Sequence, residues 1–514
     1  MKTTFFSRLR NFIKHEKGWF LIPFFACVIL GIAFCLSKRF FIWDEAYSYS
    51  LANDYQYGFV NFQTKGWYTH DLFNRFGVIN SGFHYLQVVF NQSNDVHPPL
   101  YYLLLHTISS LFPNQISVWF GLGLNLIFYI LSCCLIYYLC RTINPSKWLA
   151  PSVMLLYAAN DRLIYSGLIY LRMYQLVSFF TILFIISVVK IIQSNQITKA
   201  NKRLLFLTII GGGLTHYYFY YVVCFTCLFL AIYFLVKKEY EILKSGVLIV
   251  VIAVVCNFCV FPWALRHIFV GQHGSYTLSH LSLFSFDADR FMTFVNFTWG
   301  KQIGLFLAIV VFAIGCFALF YKKEKKYLVP VILQAAYFLF LYTVSQTATY
   351  MNSHYVIPME CINLIATMSL LSMLIDNKKT VFIFPVVSLA LGIKNSDFPG
   401  LIENLQTTPS WEFARDHKND VALFVSDGTL LDGNIENVFL DIYEYPEIGF
   451  TSPDAPLENN LTDDFVLYVQ EDMPSDLALS HVQQILPDGI NITFEKQDNV
   501  VANGFDIYIA NISQ

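Results

Sequence analysis

Apolar blocks of about 20 residues, each closed by Lys or Arg, recur through residues 1–394 of this 514-residue chain. An α-helix rises about 1.5 Å per residue, so about 20 apolar residues cross a hydrocarbon core of about 30 Å. The composition agrees, because 56% of the residues are hydrophobic and only 13% are charged, whereas a soluble domain carries about twice that charge. The pattern predicts a polytopic α-helical membrane protein and excludes a soluble fold.

Basic residues at the ends of the blocks predict the topology, because cytoplasmic loops are enriched in Lys and Arg. The N-terminus, MKTTFFSRLRNFIKHEKGW, is basic, and no small-residue cleavage site follows the first apolar run, Phe20–Ser37. This combination predicts an uncleaved anchor in the cell membrane with a cytoplasmic N-terminus. Reversing direction at each basic end then places the C-terminal region on the extracytoplasmic side.

The threading gives about eleven spans and one half-inserted helix. The apolar part of HPPLYYLLLHTISSLF has only about 14 residues, too few to cross the bilayer, and it is therefore assigned as the half-inserted helix. The predicted spans are 20–37, 117–140, 148–160, a segment that ends at Lys190, 204–215, 217–236, 244–265, 302–321, 327–345, 355–375 and 380–393.

Charge divides the chain into two predicted domains. Residues 1–394 hold 30 Lys or Arg and 14 Asp or Glu, whereas residues 395–514 hold 3 and 22. A basic part beside the cytoplasmic leaflet and an acidic part in water account for this split. We therefore predict a transmembrane domain at 1–394, with a first outer loop at 41–97, and an acidic extracytoplasmic domain at 395–514. The acidic tail argues against a nucleic-acid partner.

The tail has the sequence pattern of a small α/β domain. The runs DVALFVSD, DFVLYVQED and FDIYIANI are β-branched and aromatic and are bounded by Asp or Gly, which predicts strands. LALSHVQQIL predicts a helix between them. The tail has neither a glycine-rich phosphate loop nor a nucleophile elbow, so we expect it to bind or position a partner and not to catalyse.

Polar residues of the first domain gather on one predicted face of the membrane. An ionisable side chain at mid-bilayer costs about 2.5 to 3.5 kcal/mol on insertion scales, so a cluster of them indicates a function. The shared side predicts one outward-facing polar site. Its members are Asp44, Glu45, Asp95, His97, Asp161, Arg162, Arg172, His216, Arg266, His267 and His354.

The adjacent acids Asp44 and Glu45 follow the first span directly. One interpretation is a solvated loop that caps the span. The other is a general base, because apolar neighbours desolvate a carboxylate and raise its pKa. Those neighbours are Phe40, Phe41, Trp43 and Tyr47.

The remaining candidates also have two interpretations each. His97 is either a polar group at the entry of the half-inserted helix or a cation near a phosphate. Arg172, within LIYLRMYQLV, either reaches the interface along its apolar stem or binds a phosphate through its fork of donors. His216 and His354 are each either a satisfied interfacial histidine or a ligand.

Metal and cofactor use stays open at this stage. No spacing resembles a zinc motif, and no motif requires a cofactor, yet the outer carboxylates and histidines could hold a divalent ion. All eleven cysteines lie in apolar segments between Cys27 and Cys361, where a thiol is an ordinary small apolar group.

Five motifs carry a family resemblance. WDEAYSY, DVHPPLYYLLLH, YLRMYQL, LTHYYFYYVV and HYVIPMECINLI, in this order, resemble the polytopic GT-C glycosyltransferases. The most similar group is the bacterial branch related to protein O-mannosyltransferases, family 39, and to the lipid A aminoarabinose transferases. The resemblance covers residues 20–393.

The resemblance implies sugar transfer from a polyprenyl-phosphate donor outside the membrane, usually with inversion. The acceptor would be a cell-envelope glycan, lipid or protein. Asp44 matches the family's base, and Glu45 follows it in the same motif. Arg172 matches the arginine of the RMY pattern. The segment with Asp95, His97 and Tyr101 would lie beside the donor phosphate, with His216 also at the substrate.

One position departs from the family pattern. The late motif commonly reads Arg-Tyr, whereas this chain has His354-Tyr355. A histidine can be neutral at pH 7, so phosphate binding at this position is open.

A membrane transporter or glycolipid flippase is the main alternative function, and a receptor is a third. A transporter is expected to have internal repeats and polar residues near mid-membrane. This chain has no evident repeat, and its charges lie at one face. The run Gly211–Gly213 either breaks a helix, as in transporters, or permits close helix packing.

Overall fold

The computed structural model describes residues 17–54, 65–69, 75–280, 286–299, 302–375, 385–387, 390, 398–427, 435–458, 461–487 and 489–513. The chain forms two compact units. The first, called the helical unit, consists of Met1–Cys35, Gln92–Tyr101 and Leu122–Phe398. The second, called the mixed unit, consists of Leu36–Asn91, Tyr102–Gly121 and Pro399–Gln514.

Helices dominate residues 17–375. They are α1 Lys17–Leu36, α2 Trp43–Asn53, α3 Tyr85–Asn94, α4 Leu100–Leu111, α5 Val118–Ile143, α6 Leu149–Ala158, α7 Asp161–Leu163, α8 Tyr174–Ser194, α9 Lys199–Gly213, α10 Phe219–Val236, α11 Tyr240–Val260, α12 Trp263–Phe269, α13 Gln272–His280, α14 Ala288–Trp299, α15 Gln302–Phe320, α16 Leu328–Thr347 and α17 Ile357–Leu374. A π-helix, Ile164–Leu168, follows α7 directly.

Within the described residues, seven helices are long and apolar enough to cross a membrane, and α14 with α15 adds an eighth if the pair forms one span. The multi-pass class is therefore confirmed, but the count differs from the predicted eleven. The predicted spans 148–160 and 204–215 correspond to α6 and α9, with only 10 and 15 residues, short of the roughly 20 that a crossing needs. The predicted span 380–393 lies mostly outside the described residues.

The segment predicted to be half-inserted forms a short apolar helix. Helix α4 has 12 residues, and it begins directly after the prolines of HPPLYY, where a fixed φ suits a first turn. Its first residue is tied to the helical unit, because the Leu100 amide donates to the Leu214 carbonyl at 2.9 Å. This bond fixes the chain at the entry of α4.

The C-terminal region forms the predicted α/β domain. Its strands are β2 Thr408–Pro409, β3 Val421–Val425, β4 Glu447–Thr451, β5 Phe465–Gln470, β6 Asn491–Lys496, β7 Val500–Val501 and β8 Phe505–Ser513, and its helices are α18 Phe398–Gln406, α19 Ser410–Asp416, α20 Phe439–Glu444 and α21 Ser475–Ile485. Strands β3, β5 and β8 and helix α21 coincide with the four predicted elements. Val482 of α21 packs in one core cluster with Leu423 and Leu467.

A strand from the first outer loop completes the sheet. Strand β1, Gly66–Thr69, pairs antiparallel with β4, and the sheet order is β1-β4-β3-β5-β8-β6. Strand β3 is parallel to both β4 and β5, while β8 is antiparallel to β5 and β6. The mixed unit therefore draws its strands from both sides of residue 394.

Aromatic packing joins the start of the first outer loop to the tail within the mixed unit. The ring of Phe41 lies 5.8 Å from that of Trp411 and 4.9 Å from that of Phe439, centroid to centroid. Asn503 donates to the Phe41 carbonyl at 2.9 Å, and Arg39 donates to the Thr407 hydroxyl at 3.2 Å. Helix α2 begins at Trp43, two residues after Phe41.

Candidate functional site

An Asp-His-Arg chain lies within the helical unit. The Nδ1 atom of His97 is 2.8 Å from Asp95 Oδ2, and its Nε2 atom is 3.4 Å from Arg172 Nη2. A guanidinium can only donate, so Nε2 of His97 accepts and its proton lies on Nδ1, which donates to Asp95. In this arrangement Arg172 carries a positive charge beside His97.

Asp95 is held in its ionised form. Burial by itself would raise the pKa of this carboxyl, but the neighbouring His97 and the Arg172 charge more than offset burial and leave the pKa below its ordinary value. The Asp95 side chain keeps 18% of its surface exposed, and that of His97 keeps 19%. The pair is therefore reachable from a polar phase, while Arg172 is only 6% exposed.

Arg172 lies between an irregular turn and a helix start. The π-helix Ile164–Leu168 precedes it, and its own amide donates to the Tyr170 carbonyl at 2.7 Å. Helix α8 begins two residues later at Tyr174 with no side-chain cap. Free amides at a helix N-terminus carry partial positive charge and favour anions. The local fold thus combines a guanidinium with a helix N-terminus.

The rings of His216 and His354 both contact the ring of one tyrosine. The ring of Tyr174 is 5.4 Å from His216 and 4.7 Å from His354, centroid to centroid. His216 also lies 6.3 Å from the His97 ring. Of the sequence-predicted residues, Asp95, His97, Arg172, His216 and His354 thus gather in one part of the helical unit.

His216 is neutral with a defined tautomer. Burial, together with His97, His354 and Arg172, lowers the pKa of His216 well below its usual value. Its Nδ1 accepts the Tyr218 amide at 3.1 Å, so the proton is on Nε2. His216 is therefore a hydrogen-bond donor through Nε2 and carries no charge.

His267 has a structural role. Its Nε2 is 3.2 Å from the Ser93 carbonyl and donates to it, so Nδ1 accepts from the Tyr217 hydroxyl at 2.8 Å. Both ring nitrogens are thereby used. This histidine ties the segment 92–101, which carries Asp95 and His97, to α12 within the helical unit.

Asp44 and Glu45 lie in the first turn of α2, within the mixed unit, and differ in their environments. Glu45 is fully buried, and each of its carboxylate oxygens lies 2.9 Å from Lys38 Nζ. It also accepts the Ile42 amide at 3.0 Å and so caps α2. Asp44 is half-buried. In the structure Glu45 is a helix cap and the buried ion-pair partner of Lys38.

Tyr101 is fully buried in the first turn of α4. Its burial is that of a core side chain. Among the residues that the structure describes, no group of three or more His, Cys, Asp or Glu is arranged to hold a metal ion.

Tyr170 and Tyr174 were missed as site residues in the sequence. Their rings stack at 5.8 Å with planes 6° apart, and both contact His354. A signal was present, since both flank Arg172 in YLRMYQL, but tyrosine is frequent in this chain and single aromatics carry little information.

Comparisons with known proteins bear on the fold. No protein-family model matches the chain, and no curated protein matches its sequence. Among solved structures, the chain is similar to ArnT from Cupriavidus metallidurans bound to undecaprenyl phosphate, with a TM-score of 0.51 and 11% identity over 96% of this chain and 98% of that one. It is also similar to the archaeal oligosaccharyltransferase AglB from Archaeoglobus fulgidus in complex with an inhibitory peptide and a dolichol-phosphate, with a TM-score of 0.46 and 10% identity over 87% of this chain and 66% of that one.

ArnT is a member of the GT-C superfamily. The likeness to ArnT extends over nearly the whole of both chains. The GT-C fold expected from the five motifs is therefore confirmed.

Proposed function

We propose that this protein, which has the GT-C fold, transfers a sugar from a polyprenyl-phosphate donor to an acceptor at the outer face of the cytoplasmic membrane. The observation that carries the proposal is the Asp95-His97-Arg172 chain at the start of α8. A guanidinium beside a helix N-terminus is suited to a phosphate. Undecaprenyl phosphate is bound in the ArnT structure that shares this fold, which supports a lipid phosphate as the donor.

Arg172 is the proposed phosphate ligand. His97 accepts one of its hydrogen bonds at 3.4 Å, and Asp95 in turn accepts from His97. This series of hydrogen bonds orients the guanidinium. His216 adds a neutral hydrogen-bond donor through Nε2. A neutral donor suits a site that must later release the polyprenyl phosphate anion.

The proposed reaction is an inverting displacement. The acceptor oxygen attacks the anomeric carbon, and the bond from that carbon to the phosphate oxygen breaks. The electron pair leaves with polyprenyl phosphate, a stable anion that needs positive charge nearby but no proton. The acceptor hydroxyl loses its proton to a base.

Asp44 is the proposed base. Its neighbour Glu45 is committed to Lys38 and to the Ile42 amide, so we assign Glu45 to holding α2 in place. Asp44 sits in the first turn of α2 and keeps part of its surface exposed. A base must be reachable by its substrate, which favours Asp44 of the two.

The test is transfer by the purified protein from a panel of polyprenyl-phosphate sugars. We expect Asp44→Asn to abolish transfer and leave donor binding intact. Arg172→Ala should raise the apparent KM for the donor by about tenfold or more, since a charged hydrogen bond to phosphate is lost. The control is Arg141→Ala, in the last turn of α5. It should change neither the rate of transfer nor the apparent KM for the donor.

Two outcomes would contradict the proposal. Near-normal transfer by Asp44→Asn would remove that residue as base. Movement of a labelled glycolipid across vesicles, without transfer from any donor, would instead favour a flippase.

The proposed orientation has its own test. Residues 395–514 contain no cysteine, so Asp498→Cys, at an exposed position, gives that region a single thiol. It should react with a membrane-impermeant maleimide added to intact cells, because the N-terminus is proposed to be cytoplasmic and the C-terminal region extracytoplasmic. Labelling only after lysis would reverse the assignment.

A further inference from the structure

A buried asparagine in α5 reaches the turn that carries Arg172. Asn125 is fully buried, and its Nδ2 lies 3.4, 3.0 and 2.8 Å from the carbonyl oxygens of Gly167, Leu168 and Tyr170. Three acceptors on one side of the amide identify the group facing them as the NH₂. Its Oδ1 has no hydrogen-bond partner among the described residues, so the NH₂ contacts alone account for the orientation.

Gly167 and Leu168 end the π-helix, and Tyr170 lies in the short link between that helix and Arg172. Of the three residues, Tyr170 is the nearest to Arg172 in the sequence. Its carbonyl also accepts a hydrogen bond from the Arg172 amide at 2.7 Å. Inside a membrane protein, a buried carbonyl that loses its donor costs more than one that water can reach. One side chain therefore fixes several peptide units of an irregular segment.

We infer that Asn125 is a positioning residue, which holds the 167–170 backbone so that Arg172 meets the donor phosphate. It does not contact substrate in this inference and acts through the Tyr170 carbonyl and the Arg172 amide. The inference rests on the proposed function, because it assigns Arg172 to phosphate binding. An irregular turn has several accessible backbone arrangements, and a small shift of a phosphate ligand weakens binding substantially.

The chain offers a matched control for a purely structural role. Asn257 is also a buried asparagine of a spanning helix, α11, and its Nδ2 donates to the Ile209 carbonyl at 3.1 Å. The Ile209 carbonyl, which accepts this hydrogen bond, lies in α9 and is remote in sequence from the 167–172 segment. Asn257→Leu and Asn125→Leu therefore remove the same chemical group from comparable surroundings.

The experiment measures binding of undecaprenyl phosphate to the purified full chain by competition with a labelled polyprenyl phosphate. We expect Arg172→Ala and Asn125→Leu each to weaken binding by about tenfold. The double variant should be no weaker than Arg172→Ala alone, because Asn125 acts only through Arg172. Asn257→Leu should bind as the wild type does.

Each contrary outcome has a distinct meaning. If Arg172→Ala leaves binding unchanged, the proposed phosphate site fails and the inference fails with it. If Arg172→Ala weakens binding but Asn125→Leu does not, or if the two effects multiply in the double variant, only the inference fails. Should Asn125→Leu not fold, Asn125→Ser retains one donor and is expected to give a smaller loss with the same non-additivity; a wild-type affinity for it would overturn the inference.

Discussion

Asp441 is a buried carboxyl in the mixed unit with no cation bonded to it in the described structure. The Tyr468 hydroxyl donates to its Oδ2 at 3.2 Å, and that of Tyr445 lies 3.1 Å from the Tyr468 oxygen. Burial raises the pKa of Asp441 to about 7, and hydrogen bonds with Ser410 and Tyr468 lower it only in part. Below about pH 7 the folded protein therefore favours the protonated acid.

The stability of the mixed unit should consequently fall as the pH rises. Between the ordinary pKa of an aspartate, about 4, and the folded value of about 7, the folded state holds one proton that the unfolded state has released. Stability decreases with pH wherever the folded state binds more protons. We expect the thermal midpoint, followed by tryptophan fluorescence, to drop from about pH 5 to about pH 8.

Asp441→Asn is the matched variant, because it keeps the shape and removes the titration. Its midpoint should depend less on pH than that of the wild type, with the larger gain at the higher pH. Parallel curves for the two proteins would show that Asp441 does not titrate in this range.

At the scale of elements, the run Gly211–Gly213 ends α9 and lets neighbouring side chains pack closely against its backbone. A Cβ at Gly213 would overlap the Asn257 amide nitrogen and lie 2.8 Å from the Tyr220 hydroxyl, and one at Gly212 would lie 2.5 Å from the Phe219 ring. Asn257 is fully buried and donates a hydrogen bond to the Ile209 carbonyl, so it cannot move without losing that hydrogen bond. Of the two sequence interpretations, this geometry supports close packing.

Gly213→Ala should therefore destabilise the protein. Overpacking costs about 1 to 3 kcal/mol, while alanine returns up to about 1 kcal/mol of helix propensity, so the net effect is a loss. Gly246→Ala in α11 is the control, since its Cβ would meet only Ile197 at 3.7 Å. Thermal denaturation in detergent should show a lower midpoint for Gly213→Ala alone, and equal midpoints would contradict the packing argument.

Local sequence patterns predicted the elements that depend on local physics. Apolar length and basic ends located the long spans, and alternating β-branched runs located β3, β5 and β8. The short helices α6 and α9 were predicted as spans because the chain has to reverse direction between segments with basic ends, although the two helices have only 10 and 15 residues. Strand β1 was missed, since GWYT has four residues and its partner β4 lies far along the chain.

The candidate site shows the same division. Residue type and motif order selected Asp95, His97 and Arg172, which the structure places in hydrogen-bonded contact. The different environments of Asp44 and Glu45 could not be read from adjacent letters, because Lys38 decides the role of Glu45 only once α2 is folded.

At the scale of the whole molecule, the mixed unit is assembled from three stretches of chain. All eleven cysteines lie in the helical unit, so none belongs to the mixed unit. A cysteine pair introduced there has no native thiol of its own unit to compete with. This permits a direct test of whether the first outer loop and the tail form one sheet.

Thr69→Cys with Glu447→Cys should form a disulfide. Thr69 and Glu447 are register partners across β1 and β4, and both are exposed. Opposed residues in an antiparallel pair have Cα atoms about 4.5 to 5.5 Å apart, which is within the range that a disulfide spans. Oxidation followed by proteolysis and non-reducing mass spectrometry should give the cross-linked peptide.

Thr69→Cys with Glu495→Cys is the control pair. Strand β6 carries Glu495 and lies at the opposite edge of the six-stranded sheet from β1, so this pair should stay reduced under the same oxidation. Equal cross-linking of both pairs would indicate random encounters of a loose loop, and no cross-link in the Thr69–Glu447 pair would remove β1 from the sheet. A selective cross-link would mean that the chain is held against the tail on both sides of α2, the helix that carries Asp44. Phe41 holds it before the start of α2, and β1 holds it beyond the end. The acidic tail would then be part of the structure that positions the proposed base.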